Sequence, residues 1–334
     1  MKIKSLLLAA LALVPSVLSA QVIEGDVLVR GDGVPKDYKI PEGIREIAPN
    51  AFATSSVRSI ECPASLEVIG QCAFFYATEL KSVTFAPNSK LKTIGEQAFS
   101  DCTNLETIEL PNSVDSIGVN AFVLCENLKK ITIPTGLRKL SRSTFMSCSN
   151  LMKVKFPETL KEIDETCFAN CVSLTSLTLT GVETIGERAF YNCKVLTNVK
   201  LNEGLKEIKD NAFQRCTAIE TLELPASIEK TGAKLFLQCP EFDGFTVVAG
   251  SKYMVADGGV LYSKDKTTLY ECPQTAKSDN FVVPAETKLI RSMAFFECQD
   301  IKAITLPKNL EKVGTSALSN NGMATFNFAP RTTT

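Results

Sequence analysis

Apolar residues recur along this chain at a spacing far longer than the period of a helix or a strand. With phenylalanine as the marker, the row runs Phe52, Phe74, Phe99, Phe122, Phe145, Phe168, Phe190, Phe213 and Phe236, then Phe295 and Leu318. The steps are 22, 25, 23, 23, 23, 22, 23 and 23 residues, then one of 59 and one of 23. A period in this range marks a repeat solenoid, in which each coil buries its apolar side only against its neighbours. The copies also agree position by position: Cys102, Leu105, Ile108, Leu110 and Pro111 follow Phe99 at offsets that other copies share, and Leu91 and Ile94 precede it. Leu-x-x-Ile-x-Leu-Pro reads as a short strand with alternate side chains inward, ended by a proline that has no N–H for the ladder. The pairs Ile69-Gly70, Ile94-Gly95, Ile117-Gly118 and Ile185-Gly186 place a flexible residue where each coil has to turn. Stacked at strand spacing, the coils predict a rod of about 50 Å with one long parallel sheet along a side.

The ends and one interruption depart from the pattern. Residues 1–20 carry Lys2 and Lys4 ahead of an apolar run and close on Ser19 and Ala20, the form of a secretory signal peptide cleaved after Ala20. The run is too short for a membrane span, and no later run is long enough to cross a bilayer. No cysteine follows the cleavage point, so a lipid anchor is not expected. An exported product is expected, secreted or held at the cell surface. Residues 21–41 read as an N-terminal cap: Val22 to Arg30, a turn at Gly31-Asp32-Gly33, and Tyr38 to Ile40 as a hairpin feeding the first coil. The solenoid occupies 42–328, with a hairpin insertion over 249–280 whose strands lie around Val260, Tyr262 and Leu269 and turn at Ser263 to Thr267. A short tail, 329–334, follows.

Charge and chemistry narrow the function. The chain has 36 basic and 37 acidic residues, and removing Lys2 and Lys4 takes the formal charge from -1 to -3. With no basic block, nucleic acid and anionic membranes are not expected as main partners. There is no histidine, which removes Ser-His and Cys-His nucleophile pairs and the usual zinc ligands. Phosphate-binding loops, nucleophile elbows and Cys-x-x-Cys motifs are absent too, so neither catalysis nor a cofactor is expected. Glu109 and Glu223 are acids on the sheet, but their row mates Thr132, Lys155, Thr178 and Lys200 make a solvated strand face the simpler reading. Of the twelve cysteines, eight share one row: Cys102, Cys125, Cys148, Cys171, Cys193, Cys216, Cys239 and Cys298. Side chains on one solenoid row point the same way, which disfavours disulfide geometry and suits a ladder of small buried thiols. Cys62 and Cys272 stand at the strand position before proline, Cys167 replaces the alanine before the anchor, and Cys72 should be the most exposed.

Outward positions of the strands form two rows of hydroxyls and mixed charges, without the aromatic anchors of strong hot spots. Their densest feature is Lys129, Lys130, Lys153 and Lys155 on adjacent coils. Such a face serves solubility and edge protection; as a site it would take an acidic protein segment or a sulfated glycan.

The Phe-x-x-Cys-x-x-Leu-x-x-Ile-x-Leu-Pro rows, the Leu-x-x-Ile-Gly-x-x-Ala-Phe return and the Asp257-Gly258-Gly259-Val260-Leu261-Tyr262-Ser263-Lys264-Asp265-Lys266 hairpin together resemble the BspA-like leucine-rich repeat proteins. The resemblance spans roughly residues 22–328. It implies a leucine-rich repeat fold on a secreted or surface protein that adheres to host matrix, host cells or other bacteria, with a protein or glycan as partner and no catalytic residues. A different class of function is a structural surface component that works by self-association.

Overall fold

Each coil is built from two short strands joined by a corner of tight turns. The computed structural model describes residues 22–329; the expected signal peptide at 1–20 and residues 330–334 of the expected tail lie outside the described residues. Among the described residues all regular structure is β. The Leu-x-x-Ile-x-Leu segments form a first ladder of parallel strands, as where Ser59–Cys62 pairs with Ser82–Phe85 and Ile60 lies opposite Val83. β-Branched and apolar residues alternate with polar ones along these strands, so one face is buried and the other is wet.

A second ladder, which the periodicity did not suggest, runs through the Ile-Gly returns. Two-residue strands such as Thr93–Ile94 and Ser116–Ile117 pair in parallel from coil to coil, with isoleucine opposite isoleucine. The glycine that follows is required by proximity rather than by flexibility. A Cβ on Gly95 would stand 2.6 Å from the Gln71 nitrogen, and one on Gly118 would stand 2.4 Å from that of Glu96.

The corner around each anchor is a ladder of its own. In every coil with an anchor the second residue before it and the second after it adopt left-handed backbone, from Asn50 (φ 61°) and Thr54 (φ 59°) around Phe52 to Ser316 (φ 54°) and Asn320 (φ 48°) around Leu318. That conformation is unfavourable for residues such as Thr54, Leu124 and Thr166. It is held because alternate N–H groups reach the next coil: Phe74 donates to the Ala98 carbonyl at 2.7 Å, flanked by Cys72 to Glu96 and Tyr76 to Ser100. Inside the corner the anchor rings stack face to face, with centroids 4.9 Å apart for Phe52 and Phe74 and 5.5 Å for Phe190 and Phe213.

Behind the rings lies the cysteine row, buried and free of disulfides. Its thiols are more than compact hydrophobes, because in seven coils Sγ donates to the carbonyl of the preceding anchor, at 3.1 Å from Cys102 to Phe74 and 3.3 Å from Cys171 to Phe145.

Both irregular segments differ in detail from the expectation. At the N-terminus the hairpin is Val22–Glu24 with Val27–Arg30, turning at Gly25, and its second strand pairs with Glu46–Ile47 at the edge of the second ladder. Asp37–Lys39 is not part of that hairpin; it starts the first ladder beside Ser59–Cys62. The insertion holds three antiparallel strands, Met254–Asp257, Val260–Ser263 and Thr268–Glu271, and the last rejoins the second ladder at Leu289–Ile290.

Cys272 does not occupy a pre-proline strand position. It follows the strand Thr268–Glu271, in the place of an anchor, its N–H donating to the Ala294 carbonyl as anchors do. The missing ring is supplied by Phe242, stacked on Phe236 at 3.7 Å. The missing corner carbonyls are supplied by Glu271, whose carboxylate accepts the N–H groups of Leu235 and Phe236 at 2.7 and 3.2 Å. Lys234 Nζ, equally buried, lies 3.9 Å from that carboxylate and donates to the Cys272 carbonyl at 3.1 Å. Burial pushes the Glu271 carboxyl above its ordinary range, against the opposing pull of Lys234 and the two amides.

Candidate functional site

On the exposed face of the first ladder, side chains are placed by strand alternation. Ile131 and Leu177 point inward and are buried, so Lys130, Thr132, Ser176 and Thr178 point outward. Lys130–Thr132 pairs in parallel with Lys153–Lys155, which sets Lys130 beside Lys153 and Thr132 beside Lys155. Of the four lysines singled out in the sequence, these three are brought together. Lys129 stands apart: its Nζ lies 3.3 Å from the Glu106 carboxylate one coil earlier. Lys130, Lys153 and Lys155 make no ion pair among the described residues.

The surface beside them is not flat. The first ladder lapses at several steps, as between Thr107–Ile108 and Lys130–Thr132 and between Asn198–Lys200 and Thr221–Leu224, and one lapse follows Lys153–Lys155, which is not hydrogen-bonded to the next strand, Ser176–Thr178. At this seam opens a depression of about 480 Å³, with the three lysines on one side and Ser176, Thr178 and Thr180 on the other. Val154 and Phe156 form its floor. Phe156 stands where most coils place leucine or isoleucine, and its ring meets Phe168 edge-on at 5.8 Å. Across the seam the Thr180 hydroxyl donates to the Phe156 carbonyl at 3.2 Å, a side-chain bond where the ladder has lapsed. No periodic signal announces this concavity.

At the insertion several polar groups are engaged within the fold. The cleft at the insertion, about 500 Å³, gathers Glu207, Asp210, Tyr270 and Arg291. Arg291 donates to the Thr231 carbonyl at 2.7 Å and lies over the Tyr270 ring at 5.1 Å, while Asp210 accepts from the Ala233 N–H. On the second ladder, Lys139 is paired to Glu162 and Asp164, and Lys161 to Glu183. At the first strands, hydrogen bonds from Arg58 and then Ser59 hold the Asp37 carboxyl below its ordinary range. Glu109 and Glu223 lie five coils apart, about 25 Å at strand spacing, and do not form a carboxylate pair. Among the described residues no cluster of His, Cys, Asp or Glu is placed to hold a metal ion, and no helix is long and apolar enough to cross a membrane.

Comparison with known proteins agrees with this architecture. Residues 45–175, 161–254 and 267–334 match the BspA type leucine rich repeat region, in six copies. No curated protein matches the chain. Among solved structures, a leucine-rich repeat protein from Bacteroides ovatus is similar with a TM-score of 0.65 at 22% identity, over 91% of this chain and 94% of that one. A leucine rich cell surface protein from Faecalibacterium prausnitzii is similar with a TM-score of 0.56 at 22% identity, over 92% of this chain and 74% of that one. At such identity these likenesses concern the fold.

Proposed function

The chain belongs to the BspA-type leucine-rich repeat family, and on that premise we propose that it is a non-catalytic binding module, exported to the cell surface or beyond, that adheres to host matrix, host cells or other bacteria through the exposed face of the first ladder. The observation that carries this reading is the set of unpaired lysines Lys130, Lys153 and Lys155 beside the seam. Elsewhere on the coils many of the lysines and arginines are paired to acids of neighbouring coils. Charge left unpaired beside a concavity is available to a partner, and steers its approach.

The test is retention of the purified protein on cells and immobilised matrix proteins. Reversing Lys129, Lys130, Lys153 and Lys155 to Glu should abolish retention at moderate salt with little change in thermal stability, since these side chains are exposed. Lys92 and Lys194 serve as the matched control, being exposed and without ion pairs among the described residues. Retention that survives the first variant and fails in the second places the ligand elsewhere.

A second reading, self-association, is supported by the strand Thr325–Phe328. Among the described residues it is the outermost strand of its sheet, and Phe326 and Phe328 are 46% and 74% exposed although they lie in register with the core residues Ile304 and Leu306. An open edge with apolar side chains is a template for pairing. Sedimentation over a wide concentration range separates the readings: a partner-independent oligomer that Phe326→Ser with Phe328→Ser disperses would favour assembly.

A further inference from the structure

Resting on the sheet-face reading above, we infer that the depression at the seam between Lys153–Lys155 and Ser176–Thr178 is a binding site for a sulfated glycan segment. Three features point to that chemistry. First, the cationic groups are all lysines. Planar carboxylates are matched best by the two-pronged guanidinium of arginine, whereas a tetrahedral sulfate ester takes point charges from several directions. Strand geometry spaces the backbones that carry these charges about 4.8 Å apart from Lys130 to Lys153 and about 6.6 Å from Lys153 to Lys155, and flexible lysine stems let the ammonium groups follow ester groups along a sugar chain.

Second, the opposite wall is made of hydroxyls, Ser176, Thr178 and Thr180, and Thr132 lies beside Lys155. Hydroxyls both donate and accept, as the hydroxyls of a sugar do. Third, an acidic peptide would need apolar pockets for anchor side chains or a free strand edge to pair with. The floor residue Phe156 is buried and engaged with Phe168, and the unpartnered edges of Lys153–Lys155 and Ser176–Thr178 face each other across the depression rather than open solvent.

The experiment is titration calorimetry of the full chain with three probes of matched length: dextran sulfate, unsulfated dextran and poly-glutamate. Dextran sulfate should bind, dextran should not, and poly-glutamate should bind at least tenfold more weakly. If three lysines each displace about one counterion, raising the salt about fourfold should weaken dextran sulfate binding about 30-fold. Lys130→Gln with Lys153→Gln and Lys155→Gln should weaken it at least tenfold with an unchanged melting temperature, and Lys129→Gln should change it less than twofold because that lysine is occupied by Glu106. Equal binding by the triple variant overturns the site. Poly-glutamate binding as tight as dextran sulfate, and lost in the triple variant, overturns the glycan class while the sheet-face reading stands. If neither anion binds, the inference fails, and the sheet-face reading is then decided by cell retention of the charge-reversed variant alone.

Discussion

Raising the pH from about 8 to about 10 should unfold this array through its thiols. Burial pushes up the seven thiols of the row from Cys102 to Cys239, and those of Cys62 and Cys167, relative to the ordinary value of 9.0. The row thiols must also stay protonated to donate to the anchor carbonyls. Each native thiol therefore keeps its proton to higher pH than the same thiol in the unfolded chain. The stabilisation is complete below the unfolded value and is lost as pH rises above it. For one such group the loss is about 0.4 kcal/mol at pH 9 and about 1.4 kcal/mol at pH 10, growing by about 1.4 kcal/mol for each further unit. Nine groups that all keep their protons past pH 10 would together lose about 4 kcal/mol at pH 9 and about 13 kcal/mol at pH 10, comparable with the stability of an ordinary domain, about 5 to 15 kcal/mol.

Urea titrations across this range, with reductant present to keep unfolded thiols from oxidising, would measure the slope. Tyrosine and lysine titrate nearby, so the decisive comparison is a variant with Cys125→Ala, Cys148→Ala and Cys171→Ala. Alanine already fills the same row position at Ala77, where it is buried without distortion. The variant should be less stable at neutral pH, yet its alkaline slope should be shallower by about 4 kcal/mol per pH unit. A native slope below about 3 kcal/mol per unit, or a slope unchanged in the variant, would refute the argument.

Two further outcomes follow from the stacking and from the insertion. Phe145→Ala, with coils on both sides and rings stacked at 5.3 and 5.4 Å, should cost about 3 to 5 kcal/mol in denaturant titration, whereas Leu318→Ala, half-buried in the outermost coil, should cost clearly less; equal losses would count against stacked coils. Lys234→Met should cost about 3 to 5 kcal/mol by leaving the Glu271 carboxylate buried without its counter-charge, and Glu271→Leu should cost more, since it also orphans the Leu235 and Phe236 amides; a smaller loss for Glu271→Leu would show that the carboxylate does not replace the corner carbonyls.

Much of this architecture could be read from spacing because each row repeats the same physical demand in every coil. Phe52 to Phe236 stack because each ring needs the next, and the cysteine row is legible for the same reason. Features shorter than the repeat were harder. A two-residue strand such as Thr93–Ile94 has no alternation to betray it, so the second ladder was invisible, and Gly95 looked like a hinge when it is a point of close contact. The left-handed positions beside each anchor carry residues as different as Asn50, Leu124, Arg188 and Cys72, because coil-to-coil backbone bonds impose the conformation whatever the side chain. Cys272 could not be recognised as an anchor because its ring comes from Phe242, thirty residues earlier. At the candidate site the lysines themselves were legible, but not the engagement of Lys129 by Glu106, which depends on side-chain reach between coils.

A uniform solenoid presents the same strip of surface at every step, and a strip without features cannot discriminate between ligands. Selectivity in such a molecule has to arise where the repeat lapses. Two of the lapses are of different kinds here. At the insertion the fold repairs itself: Glu271 supplies the acceptors that a shortened corner lacks, Phe242 supplies the ring, and Lys234 neutralises the charge that the repair introduces. Every polar group brought inside is consumed, so that lapse preserves stacking and leaves little for a partner. At the seam beside Lys153–Lys155 the lapse is left open: two strand edges stay unpaired, one hydroxyl bridges them, and three cations remain without acids. On the proposed reading, the anions of a ligand would pair these exposed lysines, which favours the seam over the cleft at the insertion, where Arg291 and Asp210 are already engaged.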